Sequence, residues 1–249
     1  MVEKEFPTVQ LIKLKKNIGI AGWNEGFKVA RGEYVLVLDD DAYPNKNTIL
    51  KSLNEFSLDP NIACITFNMF DIVSNKFIDS NWSPSEIVKK NKIYWPIFCG
   101  CAVIFSAKKI NLNYIMPDDY FLYQHELPVS AEIYLHGYKI LFDKDIIAYH
   151  RFKRNEQYKV FNDALCLKNN LLFINKYLPV YFSILYNIQL FIFYLSRSIR
   201  KGWLKDYIKI ITCVNYFNWN KRKISLSYFK DLRKLHIFNF NILSKFKNI

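Results

Sequence analysis

The stretch Glu33-Tyr-Val-Leu-Val-Leu-Asp-Asp-Asp41 decides the fold of this 249-residue chain. Its apolar part, residues 34–38, places hydrophobic side chains on both faces, which predicts a buried central strand of an α/β sheet. Three adjacent carboxylates follow, and they repel one another unless a cation neutralises them. Because open α/β sheets bind ligands at the carboxyl edge of their strands, the triplet predicts a divalent-metal site. A solvated acidic turn before Pro44 is the alternative interpretation.

The elements flanking this strand alternate between strand and helix, which predicts a mixed α/β sheet with helices on both faces. Before it, a glycine-rich turn over residues 17–26 leads into a short helix that ends at Gly32. After it, residues 48–56 have the spacing of an amphipathic helix. We predict further strands over residues 9–14, 62–67, 98–105, 138–142 and 146–149, and a further helix over residues 122–136.

The net charge of +13 lies in the C-terminal part of the chain. Residues 1–150 hold 16 Lys and Arg against 18 Asp and Glu, whereas residues 151–249 hold 19 against 4. We therefore predict a near-neutral α/β domain over residues 1–155 and a basic helical tail over residues 156–249. No nucleic-acid partner is expected, because the basic residues alternate with long apolar runs and form no recognisable binding motif.

The tail composition predicts a membrane surface as a partner. Residues 177–196 contain no charged side chain, but Pro179, Asn187 and Gln189 suit the interface of a bilayer better than its hydrocarbon core. Residues 203–219 form a cationic amphipathic pattern. Such segments bind the anionic inner leaflet, so we expect a cytoplasmic protein, peripheral on the inner face of the cell membrane. The alternative is that the tail helices pack on the domain and their lysines keep it soluble.

The cysteines and the N-terminal residues also indicate an intracellular protein. The five cysteines are scattered, and the closest two, Cys99 and Cys101, have the spacing of neither a zinc knuckle nor a redox pair. We therefore expect reduced thiols, as in the cytosol. Residues 1–7 contain no apolar stretch of signal-peptide length, so export by a cleaved signal is not expected.

A series of short motifs occurs in order along the chain. They are Asn17-x-Gly19, Asn24-x-Gly26, Gly32-Glu33-Tyr34, Leu38-Asp-Asp-Asp-Ala-x-Pro44, Phe121-Leu-Tyr-Gln-His-Glu126, Ala148-Tyr-His150 and Lys168-Asn-Asn170. Together, over about residues 9–180, they resemble the family 2 glycosyltransferases, including the rhamnosyltransferase-like members. The resemblance implies a GT-A fold, a Rossmann-like mixed sheet whose DXD motif is Asp39-Asp40-Asp41. It also implies an inverting enzyme that depends on Mn²⁺ or Mg²⁺. Such an enzyme moves a sugar from a nucleotide-sugar donor to a saccharide or lipid-linked acceptor, in surface polysaccharide or lipopolysaccharide synthesis.

The resemblance also implies roles for individual residues. Asp39 lies near the ribose and the metal, Asp41 is the principal metal ligand, and His150 is a further ligand. Glu126 is the base that takes the proton from the acceptor hydroxyl. Residues expected to contact the donor are Asn17, Gly19, Asn24, Asp39, Asp40 and Gly100.

Two departures from the family pattern keep a second interpretation open. His125-Glu126 replaces an acidic pair, so Glu126 is alternatively a helix-start residue stabilised by the helix dipole. The family begins with a strand, a helix and a strand that contacts the nucleotide base, whereas this sequence begins at what resembles the third strand. The alternative function is therefore a catalytically inactive glycosyltransferase fragment, truncated at its N-terminus, that acts as a membrane-bound binding partner.

Overall fold

The computed structural model describes residues 1–80, 82–86, 88–111, 115–151, 159–214 and 223–235. Within these ranges the chain forms a seven-stranded sheet and eight α-helices. The strands are β1 (Tyr34–Leu38), β2 (Ala42–Pro44), β3 (Ile62–Asp71), β4 (Lys76–Phe77), β5 (Lys92–Tyr94), β6 (Ala102–Ser106) and β7 (Lys139–His150). The helices are α1 (Val2–Glu5), α2 (Trp23–Val29), α3 (Lys46–Leu58), α4 (Glu126–Leu135), α5 (Lys159–Tyr177), α6 (Val180–Lys201), α7 (Leu204–Cys213) and α8 (Leu226–Lys234), with a 3-10 turn over Gly19–Gly22.

The sheet is mixed, with the strand order β1-β6-β3-β7-β2. β3 lies antiparallel to β6 and parallel to β7, and β1 pairs antiparallel with β6 so that Leu38 lies opposite Ala102. The predicted fold class, a mixed α/β sheet, is confirmed. Among the described strands β1 ends this order, and its five side chains are half-buried because β6 alone pairs with it. The central position predicted for residues 34–38 is therefore not seen within the described ranges.

Helices cover both faces of the sheet, as predicted. Successive strand side chains point to opposite faces, so Ile65 packs with Phe56 of α3, whereas Cys64 on the other face packs with Phe27 of α2 and Val129 of α4. Each face therefore has its own buried cluster. The two helical layers fix the strand ends that carry the polar side chains.

Two sequence predictions about strands are wrong. Residues 138–142 and 146–149 form one strand, β7, because its pairing with β3 continues past an irregularity between Phe67 and Asn68. The Asn68 side chain bridges the irregularity by donating to the Lys144 carbonyl at 3.0 Å. Residues 9–14 form no strand: Val9 and Leu14 are exposed, and within the described ranges no strand pairs with this segment.

The helices of the predicted tail share a core with the α/β domain. Leu167 and Leu171 of α5 and Phe229 of α8 belong to the same buried cluster as Leu127 of α4 and Phe142 of β7. The tail helices thus pack on the domain, as one of the two interpretations of the basic segment expected. The predicted boundary at residue 155 and the C-terminal half of the amphipathic segment, with Trp219, lie outside the described residues.

One acidic residue ties α5 to α6. Asp163 accepts hydrogen bonds from Arg197 Nε at 2.8 Å and from Lys201 Nζ at 2.6 Å. Burial raises the pKa of Asp163, but these two cations outweigh burial and lower the pKa below its usual value. In the part of the chain that the structure describes, no helix is long and apolar enough to cross a bilayer.

Candidate active site

Three residues distant in sequence meet where β1 and β7 end and β6 begins. The backbone N–H of Asp39 donates to the Cys101 carbonyl at 3.0 Å, and β2 pairs Ala42 with His150. As a result, one carboxylate oxygen of Asp39, the Cys101 sulfur and one imidazole nitrogen of His150 all lie within 4.8 Å of one another. Strand pairing therefore brings together three side chains of the types that ligate metals.

Asp41 extends this group on the side of the imidazole. Its Oδ1 lies 3.1 Å from His150 Nε2, and Asp39 Oδ2 lies 3.8 Å from the same nitrogen. The structure thus brings together the three residues predicted to bind metal. Asp40, predicted to contact the donor, is exposed between them. These roles remain predictions.

The pKa values of the group reflect its crowding. Burial raises the pKa of Asp39 above its usual value, although hydrogen bonding to Cys101 and the charge of His150 act in the opposite direction. Burial lowers the pKa of His150, but the Cys101 thiol and the Asp41 and Asp39 carboxylates outweigh it, so that the net shift is upward. The group therefore holds protons readily, and a cation that binds there must compete with them.

The donor atoms of the group fit a divalent cation. Carboxylates such as Asp39 and Asp41 suit Mn²⁺ and Mg²⁺, while an imidazole such as His150 is a typical transition-metal ligand. Sequence reasoning missed Cys101, because its spacing from Cys99 matches no known zinc motif. The signal that could have found it is its place directly after Gly100, at the start of a strand.

A second group of residues faces the first. α4 begins at Glu126, and the two residues before its N-cap, Tyr123 and Gln124, both have left-handed backbone conformations, with φ of 66° and 59°. This turn presses His125 and Glu126 against Gly100: a Cβ atom at residue 100 would lie 2.9 Å from His125 Nε2 and 2.9 Å from Glu126 Oε1. Since real Cβ contacts are longer, any side chain at residue 100 would force His125 and Glu126 to shift.

A cavity of about 350 Å³ joins the two groups. Asp39 and Cys101 line one part of its wall and His125 and Glu126 line another. Its other walls include the indole rings of Trp23 and Trp82. The arrangement therefore combines charged groups and apolar surface around one ligand-sized space.

Several buried polar atoms in this cavity have no hydrogen bond within the described part of the chain. Among the described residues, neither ring nitrogen of His125 nor Oε2 of Glu126 has a hydrogen bond, and His125 is only 6% exposed. The nearest approach, His125 Nδ1 to Glu126 Oε2, is 3.6 Å. Because buried polar groups are nearly always paired, unpaired ones in a cavity indicate contact with a ligand. Sequence reasoning treated His125 only as a departure from the family pattern.

The remaining residues predicted to contact the donor make hydrogen bonds or close contacts within the protein. Asn24 is buried, and its amide exchanges two hydrogen bonds with the Met116 backbone, at 2.9 and 3.0 Å. Asn17 accepts from the Gly19 N–H at 2.8 Å. Gly19 has φ of 65° and packs so closely on the Phe121 carbonyl that a Cβ would lie 1.9 Å from its oxygen. The close approach that Gly19 permits is therefore to the protein's own backbone.

Comparison with known proteins relates the first part of the chain to a family. Residues 1–112 match the sequence model of the family described as Glycosyl transferase family 2. Over these residues the chain resembles glycosyltransferase family 2, as predicted. The match includes Asp39, Asp41, Gly100 and Cys101, whereas Glu126 and His150 lie beyond it.

Similarity to other proteins is more distant. The chain is 16% identical to the solved mannosyltransferase PcManGT from Pyrobaculum calidifontis in complex with GDP-Man and Mn²⁺. That likeness covers 93% of this chain and 63% of the mannosyltransferase, with a TM-score of 0.49, and we infer nothing about function from it. The chain thus spans less than two thirds of that protein's length. No curated protein matches the sequence.

Proposed function

We propose that this chain transfers a sugar from a nucleotide-sugar donor to an acceptor hydroxyl, in the cavity between Asp39 and Glu126. The observation that supports this most directly is the cavity itself, because it joins a group of metal-ligating side chains to Glu126, whose buried Oε2 has no hydrogen bond among the described residues. Sugar transfer requires both: positive charge for the diphosphate that leaves, and a base for the hydroxyl that attacks.

The chain's own residues divide the work in this proposal. Asp39, Asp41 and His150 would hold a divalent ion, Mn²⁺ or Mg²⁺, whose charge offsets that of the leaving diphosphate. Glu126 accepts the proton of the acceptor hydroxyl as its oxygen bonds to the anomeric carbon. The bond from that carbon to the diphosphate breaks at the same time, and a single displacement of this kind inverts the configuration.

The position of Glu126 suits a base. It is the first residue of α4, where the N-terminal end of the helix favours a negative charge, and its side chain is only 14% exposed. The helix-start role therefore supports the catalytic one instead of replacing it. His125, pressed beside it, is placed to donate to the donor's phosphate or sugar oxygens, and Gly100 leaves room for both side chains.

Calorimetric titration tests this proposal. The purified chain is titrated with UDP, dTDP and GDP, each with and without Mn²⁺, and the titrations are repeated on Asp41→Ala. Metal-dependent binding of one nucleotide, lost in Asp41→Ala, is expected. Absence of binding for all three nucleotides would refute a functional donor site. Donor binding without any turnover would instead favour the inactive, partner-binding alternative.

We also propose that the protein lies on an anionic membrane surface. The outward face of α6 is apolar along its length: Tyr181, Ile184, Ile188, Ile192 and Ile199 are between 48 and 74% exposed. From Tyr181 to Ile199 this α6 face is about 27 Å long at the usual helical rise. Apolar surfaces of this extent on soluble proteins mark interaction sites.

Charge next to the α6 face favours lipid as its partner. On α7, exposed Lys205 and Lys209 alternate with exposed Leu204 and Ile208, and exposed Arg200 lies in the last turn of α6. Lysines beside an apolar helix face suit an anionic leaflet. Docking there, on the inner face of the cell membrane, would give the cavity access to a lipid-linked saccharide of the kind used in surface polysaccharide or lipopolysaccharide synthesis.

A further inference from the structure

The thiol of Cys101 lies inside the metal-binding group. Its sulfur is within 4.8 Å of the ligating atoms of Asp39 and His150, and its side chain also interacts with that of Cys99. Cys99, two residues earlier, lines the same cavity but does not belong to this group. Both cysteines therefore line the cavity, but only the Cys101 sulfur lies within reach of the Asp39 and His150 ligating atoms.

We propose that Cys101 is itself a metal ligand and that the site prefers a thiolate-binding ion such as Zn²⁺ or Co²⁺ over Mg²⁺. This inference rests on the proposed metal-assisted function and specifies its ion. When the ion binds, the Cys101 S–H bond breaks, a sulfur–metal bond forms and the proton passes to the solvent. No electron is transferred.

The combination of ligand types determines the preferred ion. Mg²⁺ binds oxygen ligands in near-octahedral geometry, whereas one carboxylate, one imidazole and one thiolate are all ligands that Zn²⁺ accepts. Three protein ligands also leave a fourth tetrahedral position open, as in catalytic zinc sites. A diphosphate oxygen or a water molecule can take that position, so the ligand set is compatible with the proposed chemistry.

The scaffold holds these ligands in fixed positions. Asp39 follows β1, Cys101 precedes β6 and His150 ends β7. The backbones of Asp39 and Cys101 are joined by a hydrogen bond next to the last β1–β6 pair, and His150 pairs with Ala42 of β2. Asp41 Oδ1 lies 3.1 Å from His150 Nε2, on the same side of the imidazole as Asp39, and so flanks the group with a further carboxylate. Because the strands are rigid, we expect the preference for thiolate-binding ions to persist in the absence of donor.

The test is a Co²⁺ titration of the full chain, followed by the thiolate-to-cobalt charge-transfer band in the near ultraviolet. All proteins carry Cys213→Ser, which removes an exposed thiol. We expect the band in this parent protein and in Cys99→Ser, the matched control. Cys101→Ser should lose the band and bind Zn²⁺ about 10–100-fold more weakly, while its Mn²⁺ affinity changes much less.

Two outcomes would overturn the inference: no charge-transfer band in the parent, or a band that persists in Cys101→Ser. Cys101→Ala serves as a second variant, and circular dichroism verifies that each protein is folded. Nucleotide titration with Mn²⁺, made on the same samples, separates this inference from the proposed function. A charge-transfer band without nucleotide binding contradicts the function alone, and Mn²⁺-dependent nucleotide binding without a band contradicts the thiolate ligand alone.

Discussion

Replacing Gly100 by alanine should disable the site while leaving its metal-binding group intact. The new Cβ would lie 2.9 Å from Glu126 Oε1 and 2.9 Å from His125 Nε2. Carbon and such polar atoms normally approach to no less than about 3.4 Å, so both side chains must move by roughly half an ångström. Both are largely buried, and the surrounding atoms resist that movement.

Two magnitudes follow from this clash. Overpacking in a buried region costs about 1–3 kcal/mol of folding stability. Misplacing a catalytic group on the ångström scale lowers turnover by up to about 100-fold, so sugar transfer by Gly100→Ala should fall by roughly one to two orders of magnitude. Co²⁺ binding should stay unchanged, because the closest contacts given for the new methyl group are to Glu126 and His125, on the other side of the cavity.

Thermal unfolding and the release of nucleoside diphosphate from the donor measure these effects. Gly26→Ala is the control: a Cβ at this exposed position in α2 meets nothing within 4 Å, and alanine should stabilise the helix by about 0.5–1 kcal/mol. Full turnover in Gly100→Ala would refute the placement of Glu126 and His125 at the reacting atoms.

Three further changes test other parts of the structure. Asp163→Asn should cost about 1–2 kcal/mol in urea unfolding at pH 7, because Arg197 and Lys201 lose their shared partner. The folded state lowers the pKa of Asp163, so the stabilisation by its carboxylate is complete above the unfolded-state pKa of about 4. It disappears as the pH falls through the folded-state pKa. The unfolding free energies of wild type and variant should therefore converge in acid. Asn24→Ala should cost about 2–4 kcal/mol in the same assay by leaving the buried Met116 backbone unpaired, and an unchanged midpoint would contradict its structural role. Ile188→Glu should abolish flotation with phosphatidylglycerol vesicles but leave the fold intact. Leu50→Glu, at a similarly exposed position on α3, should keep flotation. If Ile188→Glu instead converts a dimer to a monomer, the α6 face binds a second copy of the chain.

Local sequence patterns were sufficient to predict the elements that build the site. The apolar run before Asp39 predicted β1, and the strand ending at His150 was predicted in the same way. That these strand ends meet in one site was implied by the resemblance to the family and not by the local patterns. The mixed α/β fold is accordingly confirmed, and residues 1–112 match the model of the predicted family.

Contacts between distant residues could not be predicted from local patterns. Cys101 joins Asp39 only through the β1–β6 register, and Asn24 meets Met116 across 92 residues of sequence. In the sequence, Asn24 is an asparagine near glycines. That pattern fits a ligand-binding loop and a buried residue that hydrogen-bonds a distant backbone segment equally well. Pairing also merged two predicted strands into β7. In each case the deciding contact lies between segments far apart in the chain.

The most direct test of the proposed function compares the wild type with Glu126→Gln. The measurement is Mn²⁺-dependent release of nucleoside diphosphate from UDP-, dTDP- and GDP-sugars, on vesicles that contain lipid-linked saccharide. The base role predicts that Glu126→Gln binds the donor nucleotide as tightly as the wild type but releases almost no diphosphate. Full release by Glu126→Gln would contradict the catalytic assignment.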